Sequence, residues 1–321
     1  MTAATGPDGG RRPPVGVLVM AHGTPASADE VEAFYTRIRR GRPPTPGQLA
    51  ELAARYEAIG GVSPLTERTA AQVDGLAKVL DELAPGRFVV RFGAKYTAPF
   101  IEDAAAELAA AGPEAVVGIV LTPHRSSMGS GEYHRRAEAA LDPPAYRPVA
   151  QWYETPGFAG LVADRVDHAR SRLPAADREG AMVLFTAHSL PARVVAEGDP
   201  YPEQVEDSAR RVAERAGLAH WRVAWQSAGR TPEPWIGPDV LEVLSGLADE
   251  GYRGVVVCPI GFVADHLEVL YDIDVEAARC AEAVGLDFTR TDSLNDDPRF
   301  LRVLAEVVLA ADAGRAAGGG R

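Results

Sequence analysis

The chain has 321 residues, of which 33 are basic and 45 are acidic, so its formal net charge is −12. This acidic balance argues against nucleic acid as a partner, because a nucleic-acid binder needs a basic face. The chain has only two cysteines, Cys258 and Cys280, in separate segments, so a disulfide framework, a zinc centre or a cysteine-ligated iron–sulfur cluster has almost no ligands to build on.

The two ends of the chain have compositions that predict disorder. Residues 1–13 are rich in Gly, Pro and Arg and are interpreted as a disordered leader, and residues 314–321 as a disordered tail. No apolar stretch reaches the ~18 residues that a membrane span requires, and residues 1–14 lack a hydrophobic signal core. We therefore expect a cytoplasmic protein without stable membrane insertion.

Between the ends, apolar β-type runs alternate with helical patterns. Strands are predicted at 15–20, 88–92, 116–121, 182–186, 222–225 and 255–259, and helices between them, for example at 99–111 and 240–250. This alternation is typical of α/β folds with parallel sheets and helices on their faces.

One segment of the sequence occurs twice. Residues 17–25 and 182–191 are each an apolar run that ends in Ala-His, with a proline three residues after the histidine. Such a run predicts a buried parallel strand with its histidine at the carboxyl end, where open α/β folds bind ligands. The sequence thus predicts two similar Rossmann-like domains, 14–148 and 149–313, divided near a proline cluster. Their cleft would have His22 and His188 on opposite walls, and the helical stretch 299–311 could cross back to pack on the first domain.

The second half also contains a regular series of acidic residues. In an α-helix, Asp265, Glu268, Asp272 and Glu276 would share one face, and no basic residue of the stretch offsets their repulsion. A solvated acidic surface is the alternative interpretation. The favoured interpretation is a line of carboxylates that attracts a hydrated divalent cation and passes it inward.

The histidine at the end of the second repeated strand is the candidate proton acceptor. An ordinary histidine pKa near 6.5 suits proton acceptance at neutral pH. A structural role is the alternative for His188, but the duplicated context favours function. His124, after the strand at 116–121, has a similar but weaker claim.

A dense basic run and two flexible segments complete the candidates. Residues 37–42 contain four arginines that form either a solvated helix end or a dock for substrate carboxylates, which arginine binds bidentately. Residues 58–65 and 126–131 are rich in glycine and serine. Neither is a phosphate-binding loop, because GxxxxGK[ST] and GxGxxG motifs are missing.

Together these segments resemble the ferrochelatase family, whose members insert ferrous iron into a porphyrin. The resemblance rests on residues 20–25, 38–42, 59–65, 188–191 and 259–272 and on Gln226-Ser227 with Gly229 and Trp235, with His-Ser-Leu-Pro and Asp-His-Leu-Glu as its most specific elements. It implies that His188 and Glu268 are the catalytic pair facing the porphyrin centre and contact the metal, while Asp272 and Glu276 continue the metal path.

The resemblance also implies the substrate contacts, with two departures. Ser63 and Tyr133 correspond to positions that contact substrate propionates, and Arg39 and Arg40 lie near the cleft mouth. Similar chains usually have tyrosine at the position of His22, so the axial contact to metal and substrate here would be imidazole. Tyr96 stands where a histidine is often found, which weakens an outer metal site.

Within the family, the sequences of these motifs are most similar to those of the soluble Gram-positive-type enzymes that act on coproporphyrin III. The implied function is insertion of Fe2+ into coproporphyrin III with release of two protons, a late step of heme biosynthesis. Protoporphyrin IX is the alternative substrate, and a non-catalytic carrier of tetrapyrrole or metal is the alternative function. No cofactor beyond the substrate Fe2+ and no iron–sulfur cluster are expected, and the implied partners include neighbouring heme-pathway enzymes in transient contact.

Overall fold

A computed structural model describes residues 13–141, 145–229 and 231–314. Within them lie two four-stranded sheets whose neighbouring strands are all parallel. The first has the order β2–β1–β3–β4, with β1 at Val15–Ala21, β2 at Phe88–Ala94, β3 at Ala115–Val120 and β4 at Ala145–Val149. The second repeats that order as β6–β5–β7–β8, with β5 at Met182–His188, β6 at Trp221–Gln226, β7 at Gly254–Cys258 and β8 at Asp287–Arg290. The predicted α/β class with two similar parallel sheets is confirmed.

Helices flank both sheets. They are α1 (Val31–Ile38), α2 (Pro46–Ala58), α3 (Leu65–Leu83), α4 (Ile101–Ala110), α5 (Ser130–Ala140), α6 (Pro156–Arg172), α7 (Ala192–Ala196), α8 (Tyr201–Arg215), α9 (Val240–Leu247), α10 (Ala278–Ala283) and α11 (Pro298–Asp312). A short 3-10 helix covers Ala28–Glu30, and a π-helix covers Val269–Ala277. Helix α11 crosses back to pack against α3 and β4 of the first half, where Asp312 forms ion pairs with Arg87 at 3.0 Å and Arg147 at 2.9 Å.

The central strands β1 and β5 determine where the two repeated histidines lie. Every residue of β1 is buried, and so is every residue of β5 except His188 at its end. Helices on both faces of a parallel sheet explain this continuous burial. His22 follows β1 directly and His188 ends β5, so each histidine lies at the carboxyl edge of its sheet.

Two edge strands differ from the expectation. The segment around Pro148, which was expected to connect the domains, forms β4, so the predicted boundary between residues 148 and 149 lies inside a strand of the first sheet. Proline is tolerated there because an edge strand has one unpaired side. Strand β8 has only four residues with a charge at each end, and it was not predicted. Most of the predicted leader and tail, and Pro143 and Pro144, lie outside the described residues.

Candidate active site

His188 and Glu268 face each other at the carboxyl edge of the second sheet. His188 is the last residue of β5, and Glu268 directly precedes the π-helix. The His188 Nε2 atom lies 3.5 Å from Glu268 Oε1, and the two side chains are 35% and 34% exposed. Nδ1 of His188 donates to the carbonyl oxygen of Ser189 at 2.6 Å, so Nε2 is the nitrogen directed at the carboxylate. The structure therefore brings together the two residues that the resemblance pairs.

The charges of this pair change the protonation expected from sequence. Burial alone would lower the pKa of His188, but the Glu268 carboxylate overrides this effect and raises that pKa to about 9. Burial opposes ionisation of Glu268 in turn, yet His188 and His266 hold its pKa well below the ordinary value. In the metal-free protein at neutral pH the pair is an imidazolium and a carboxylate. The ordinary histidine pKa near 6.5 therefore does not apply to His188, which holds a proton at neutral pH while it is paired with Glu268.

His266 is a second histidine on Glu268, and the sequence analysis missed it. Its Nε2 atom lies 3.6 Å from Glu268 Oε2. Its Nδ1 donates to the carbonyl oxygen of Ala264 at 3.0 Å, and its ring packs on Phe262 with centroids 4.8 Å apart. The position of this histidine two residues before Glu268, within the Asp-His-Leu-Glu motif, was the available signal.

His22 is the candidate site residue at the carboxyl edge of the first sheet. Its ring packs against Tyr96, with centroids 4.7 Å apart, and against Phe34 at 5.8 Å. Nδ1 donates to the carbonyl oxygen of Gly23 at 3.0 Å, and Nε2 has no hydrogen-bond partner among the described residues. Desolvation lowers the pKa of His22, and the negative charge of Glu268, which acts to raise it, does not offset this effect. The His22 imidazole is therefore neutral at neutral pH. Tyr96, which stands where similar chains often have a histidine, packs against the His22 ring at an interplanar angle of 60°.

The acidic series continues on the π-helix rather than on the predicted α-helix. Hydrogen bonds from i to i+5 widen each turn, and residues four apart still lie close to one face. Asp272 is buried, receives a hydrogen bond from Ser227 Oγ, and lies 3.4 Å from Arg55 of α2. Burial, followed by the charge of Glu268, raises the pKa of Asp272 to about 6, although Ser227 and Arg55 act against this rise. Glu276 is half-buried one turn further along.

Asp265 does not belong to this series. It precedes the helix, and its carboxylate accepts hydrogen bonds from Ser293 Oγ at 2.7 Å and Asn295 Nδ2 at 2.9 Å. Arg290 Nη1 lies 3.3 Å from its Oδ1 atom. The expected four-residue ladder was wrong at this position, because the chain enters the helix only after Asp265 and tertiary contacts occupy its carboxylate.

The predicted substrate residues lie on the first half. Ser63 is buried, and its Oγ accepts a hydrogen bond from the Leu65 amide at 3.3 Å at the start of α3. Tyr133 is a buried residue of α5. Arg39 donates to the carbonyl oxygen of Arg42 at 3.2 Å, while Arg40 is exposed with a φ of 55° in the turn after α1. Among the residues that the structure describes, neither arginine has an acidic partner, and the Arg39 guanidinium lies 5.6 Å from the ring centre of Tyr35.

Lys95 is a buried cation that sequence reasoning missed. Its Nζ atom donates to Glu132 at 2.8 Å and lies 5.2 and 5.1 Å from the ring centres of Tyr96 and Tyr133. It directly follows β2, the strand next to β1, and His22 directly follows β1. A lone lysine at a strand end carries no pattern that distinguishes it from a surface lysine, so the sequence offered no specific signal.

The remaining histidine candidate lies in another environment. His124 is buried against Tyr153 with ring centroids 5.3 Å apart, and neither ring nitrogen has a hydrogen-bond partner within the described part of the chain. Burial lowers its pKa to about 3. Across residues 13–141, 145–229 and 231–314, no group of three or more His, Cys, Asp or Glu side chains has the arrangement of a metal centre.

The chain is similar to proteins of known name over nearly its whole length. A family model described as ferrochelatase matches residues 14–312. A protein of Geobacillus thermodenitrificans named coproporphyrin III ferrochelatase is 46% identical over 300 residues, which cover 92% of this chain and 95% of that protein. A protein of Herpetosiphon aurantiacus named ferrochelatase is 45% identical over 296 residues, 91% of this chain and 97% of the relative.

Solved structures show a likeness in fold. SirB from Bacillus subtilis with Fe3+ superimposes with a TM-score of 0.58 at 13% identity, covering 94% of this chain and 98% of that one. In the part of the chain that the structure describes, no helix combines the length and apolar character needed to cross a membrane.

Proposed function

The chain belongs to the ferrochelatase family, and on that basis we propose that it is an enzyme that inserts Fe2+ into coproporphyrin III, a step of heme biosynthesis that releases two protons. The observation that carries this proposal is the His188–Glu268 pair, 3.5 Å apart at the carboxyl edge of the second sheet. In this pair, His188 can take up and release protons, and the Glu268 carboxylate can attract a divalent cation.

Proton transfer in this proposal begins from the ion pair. Two N–H protons must leave the pyrrole nitrogens as one Fe2+ enters, and His188 already holds a proton because Glu268 raises its pKa to about 9. Fe2+ beside Glu268 competes with that proton for the carboxylate, which lowers the pKa of His188. The imidazole then releases its first proton toward solvent, accepts one pyrrole proton, releases that proton by the same route and accepts the second, so that both N–H protons leave as Fe2+ binds the pyrrole nitrogens. Asp272, with a pKa of about 6, is the next group able to carry protons toward solvent.

Iron delivery uses the same line of carboxylates in the inward direction. The line has one carboxylate every four residues: Glu276 and Asp272 lie on the π-helix, and Glu268 directly precedes it. Oxygen ligands hold Fe2+ less firmly than thiolates do, so an ion can pass between them. On the opposite wall, His22 offers a neutral imidazole with Nε2 free to contact the metal or the macrocycle.

The substrate assignment rests on charge and on the named relatives. Coproporphyrin III carries four propionates, and Arg39 and Arg40 have no acidic partner among the described residues that would compete for them. Ser63 and Tyr133 are the further propionate contacts in this proposal. The Geobacillus relative is named for coproporphyrin III. We place the reaction in the cytoplasm, without a cofactor beyond Fe2+ and with transient transfer contacts to neighbouring enzymes of the pathway.

The proposed function is tested by anaerobic insertion of Fe2+ into coproporphyrin III and, in parallel, into protoporphyrin IX, followed by absorbance. We expect faster turnover with coproporphyrin III. Faster turnover with protoporphyrin IX would support iron insertion as the function but contradict coproporphyrin III, with its four propionates, as the preferred substrate. Tight binding of either porphyrin without any turnover would contradict the proposed enzymatic function and would favour a non-catalytic carrier.

A further inference from the structure

Arg290, the last residue of β8, contacts carboxylates on both sides of Glu268. Its Nε and Nη2 atoms donate to the two carboxylate oxygens of Asp274 at 2.6 and 3.0 Å. Its Nη1 atom lies 3.3 Å from Oδ1 of Asp265. The Arg290 side chain is only 15% exposed. One largely buried guanidinium thus bridges a residue three positions before Glu268 and a residue six positions after it.

The Asp265 end of this bridge is fixed by further contacts. Asn295 donates through Nδ2 to Asp265 Oδ2 at 2.9 Å and accepts from the Asp265 amide through Oδ1 at 3.0 Å. Ser293 Oγ donates to Asp265 Oδ1 at 2.7 Å. Gln72 of α3, in the first half, donates to the carbonyl oxygens of Val263 and Asn295 at 3.2 and 2.9 Å. The start of the Glu268 segment is therefore held from both halves of the molecule.

The Asp274 end lies inside the π-helix. Helices with i to i+5 hydrogen bonds are rare and usually extend over a single turn, whereas this one has nine residues. Such a helix depends on tertiary contacts, and a bidentate arginine–carboxylate pair supplies both energy and a fixed orientation. Asp274 is an exposed residue whose side chain keeps 35% of its surface accessible, so this contact sets the helix position from its outer side.

We propose that Arg290 is a positioning residue for iron insertion: by bridging Asp265 and Asp274, it holds the intervening segment so that the Glu268 carboxylate faces His188. Arg290 touches neither His188 nor Glu268, and it acts through the backbone that carries Glu268. The kinetic consequence rests on the proposed function, whereas the effect on the segment itself does not. The bridge also explains why two of the acidic residues near the iron path, Asp265 and Asp274, are not available to the cation.

The test compares Arg290→Gln with Arg222→Gln as matched control. Arg222 pairs with Glu250 at the surface through a side chain that is 40% exposed. Because a displacement of about 1 Å can cost roughly 100-fold in rate, we expect Arg290→Gln to lower kcat by about 10- to 100-fold. Coproporphyrin affinity should stay within about twofold of wild type, since a contact that acts on the chemical step changes kcat rather than uniform binding. Arg222→Gln should match wild type in both.

Hydrogen exchange on the metal-free, substrate-free protein separates the two proposals. Amides of residues 265–277 should exchange faster in Arg290→Gln than in wild type and Arg222→Gln. If the wild-type chain inserts no iron while this exchange difference is present, the proposed function fails and the bridge stands. If wild type inserts iron and a folded Arg290→Gln has wild-type kcat and wild-type exchange, the positioning role is overturned.

Asp274→Asn keeps the test decisive if Arg290→Gln does not fold. The substitution weakens the bidentate contact at an exposed residue and leaves Arg290 and Asp265 in place. We expect a smaller fall in kcat, again with unchanged porphyrin affinity. Arg290→Lys should recover only part of the wild-type rate, because one ammonium cannot reproduce the planar fork. Wild-type kcat in Asp274→Asn would overturn the proposal.

Discussion

The Nη1 atom of Arg55 lies 3.4 Å from Oδ1 of Asp272, so an arginine on α2 of the first half partly neutralises a carboxylate on the π-helix of the second. The same guanidinium lies 4.8 Å from the ring centre of Tyr271. These contacts join the two halves beside the proposed iron path. They also make the charge of Asp272 depend on a residue 217 positions away in sequence.

The first prediction concerns this pair. Arg55 lowers the pKa of Asp272, so Arg55→Gln should raise that pKa above its value of about 6. More Asp272 is then protonated near neutral pH, and the KM for Fe2+ should increase. The increase should shrink at a pH well above this pKa, where Asp272 is ionised in both proteins. Fe2+ saturation curves at two pH values measure it, with Arg193→Gln, in an exposed pair with Glu233, as control. An equal change at both pH values would rule out the charge mechanism.

The second prediction concerns stability and pH. The pKa of His188 is raised from 6.5 to about 9 in the folded protein. The stability contributed by its protonated form is fully present below pH 6.5 and is lost as the pH rises through about 9. The urea midpoint of the metal-free protein should therefore fall over this range more steeply in wild type than in His188→Ala. Parallel curves for the two proteins would contradict the ion pair.

The third prediction concerns the turn after His22. Gly23 has a φ of +82°, and a Cβ atom at this position would lie 2.3 Å from Thr97 Oγ1. Gly23→Ala should destabilise the protein by about 1–3 kcal/mol, since it combines strain with a clash. Gly47 of α2 has open space around it, so Gly47→Ala should be neutral or stabilising by up to about 1 kcal/mol. Urea unfolding measures both, and equal stabilities would show that this turn tolerates a side chain.

The fourth prediction concerns His22 as a contact to iron. His22→Phe keeps an aromatic ring against Tyr96 and Phe34 but removes the free Nε2 atom. The substitution also removes the Nδ1 hydrogen bond to Gly23, so we expect stability to fall by no more than about 1 kcal/mol, together with altered absorption and electron paramagnetic resonance spectra of the bound iron porphyrin. Tyr96→Phe, which leaves the imidazole in place, should keep the wild-type spectra. Identical spectra for His22→Phe and wild type would mean that the imidazole does not contact the metal.

The fold could be predicted where burial is continuous. Strands β1 and β5 are apolar throughout, so their positions and the histidines at their ends follow from the sequence. Strands β4 and β8 could not be found in this way, because β4 contains Pro148 and an arginine and β8 has only four residues with a charge at each end, so neither has an apolar run of its own. Their pairing depends on the neighbouring central strand rather than on their own pattern.

The candidate site was only partly predictable for a related reason. The motifs identified His188 and Glu268, but the acidic series was interpreted with α-helical spacing, and the π-helix lies outside that pattern. Arg55 and Arg290 determine which carboxylates are neutralised, and both reach the site from distant segments. The raised pKa of His188 is likewise a property of its contact with Glu268, which no single segment encodes.

The most direct test of the central claim is single-turnover iron insertion into bound coproporphyrin III by His188→Ala. His168→Ala is the matched control, because that side chain is 61% exposed at the surface. We predict that His188→Ala binds coproporphyrin III with wild-type affinity and inserts iron at least about 100-fold more slowly, the range typical of a lost proton-transfer group. His168→Ala should behave as wild type. A wild-type insertion rate in His188→Ala would contradict the assignment of His188 as the proton acceptor.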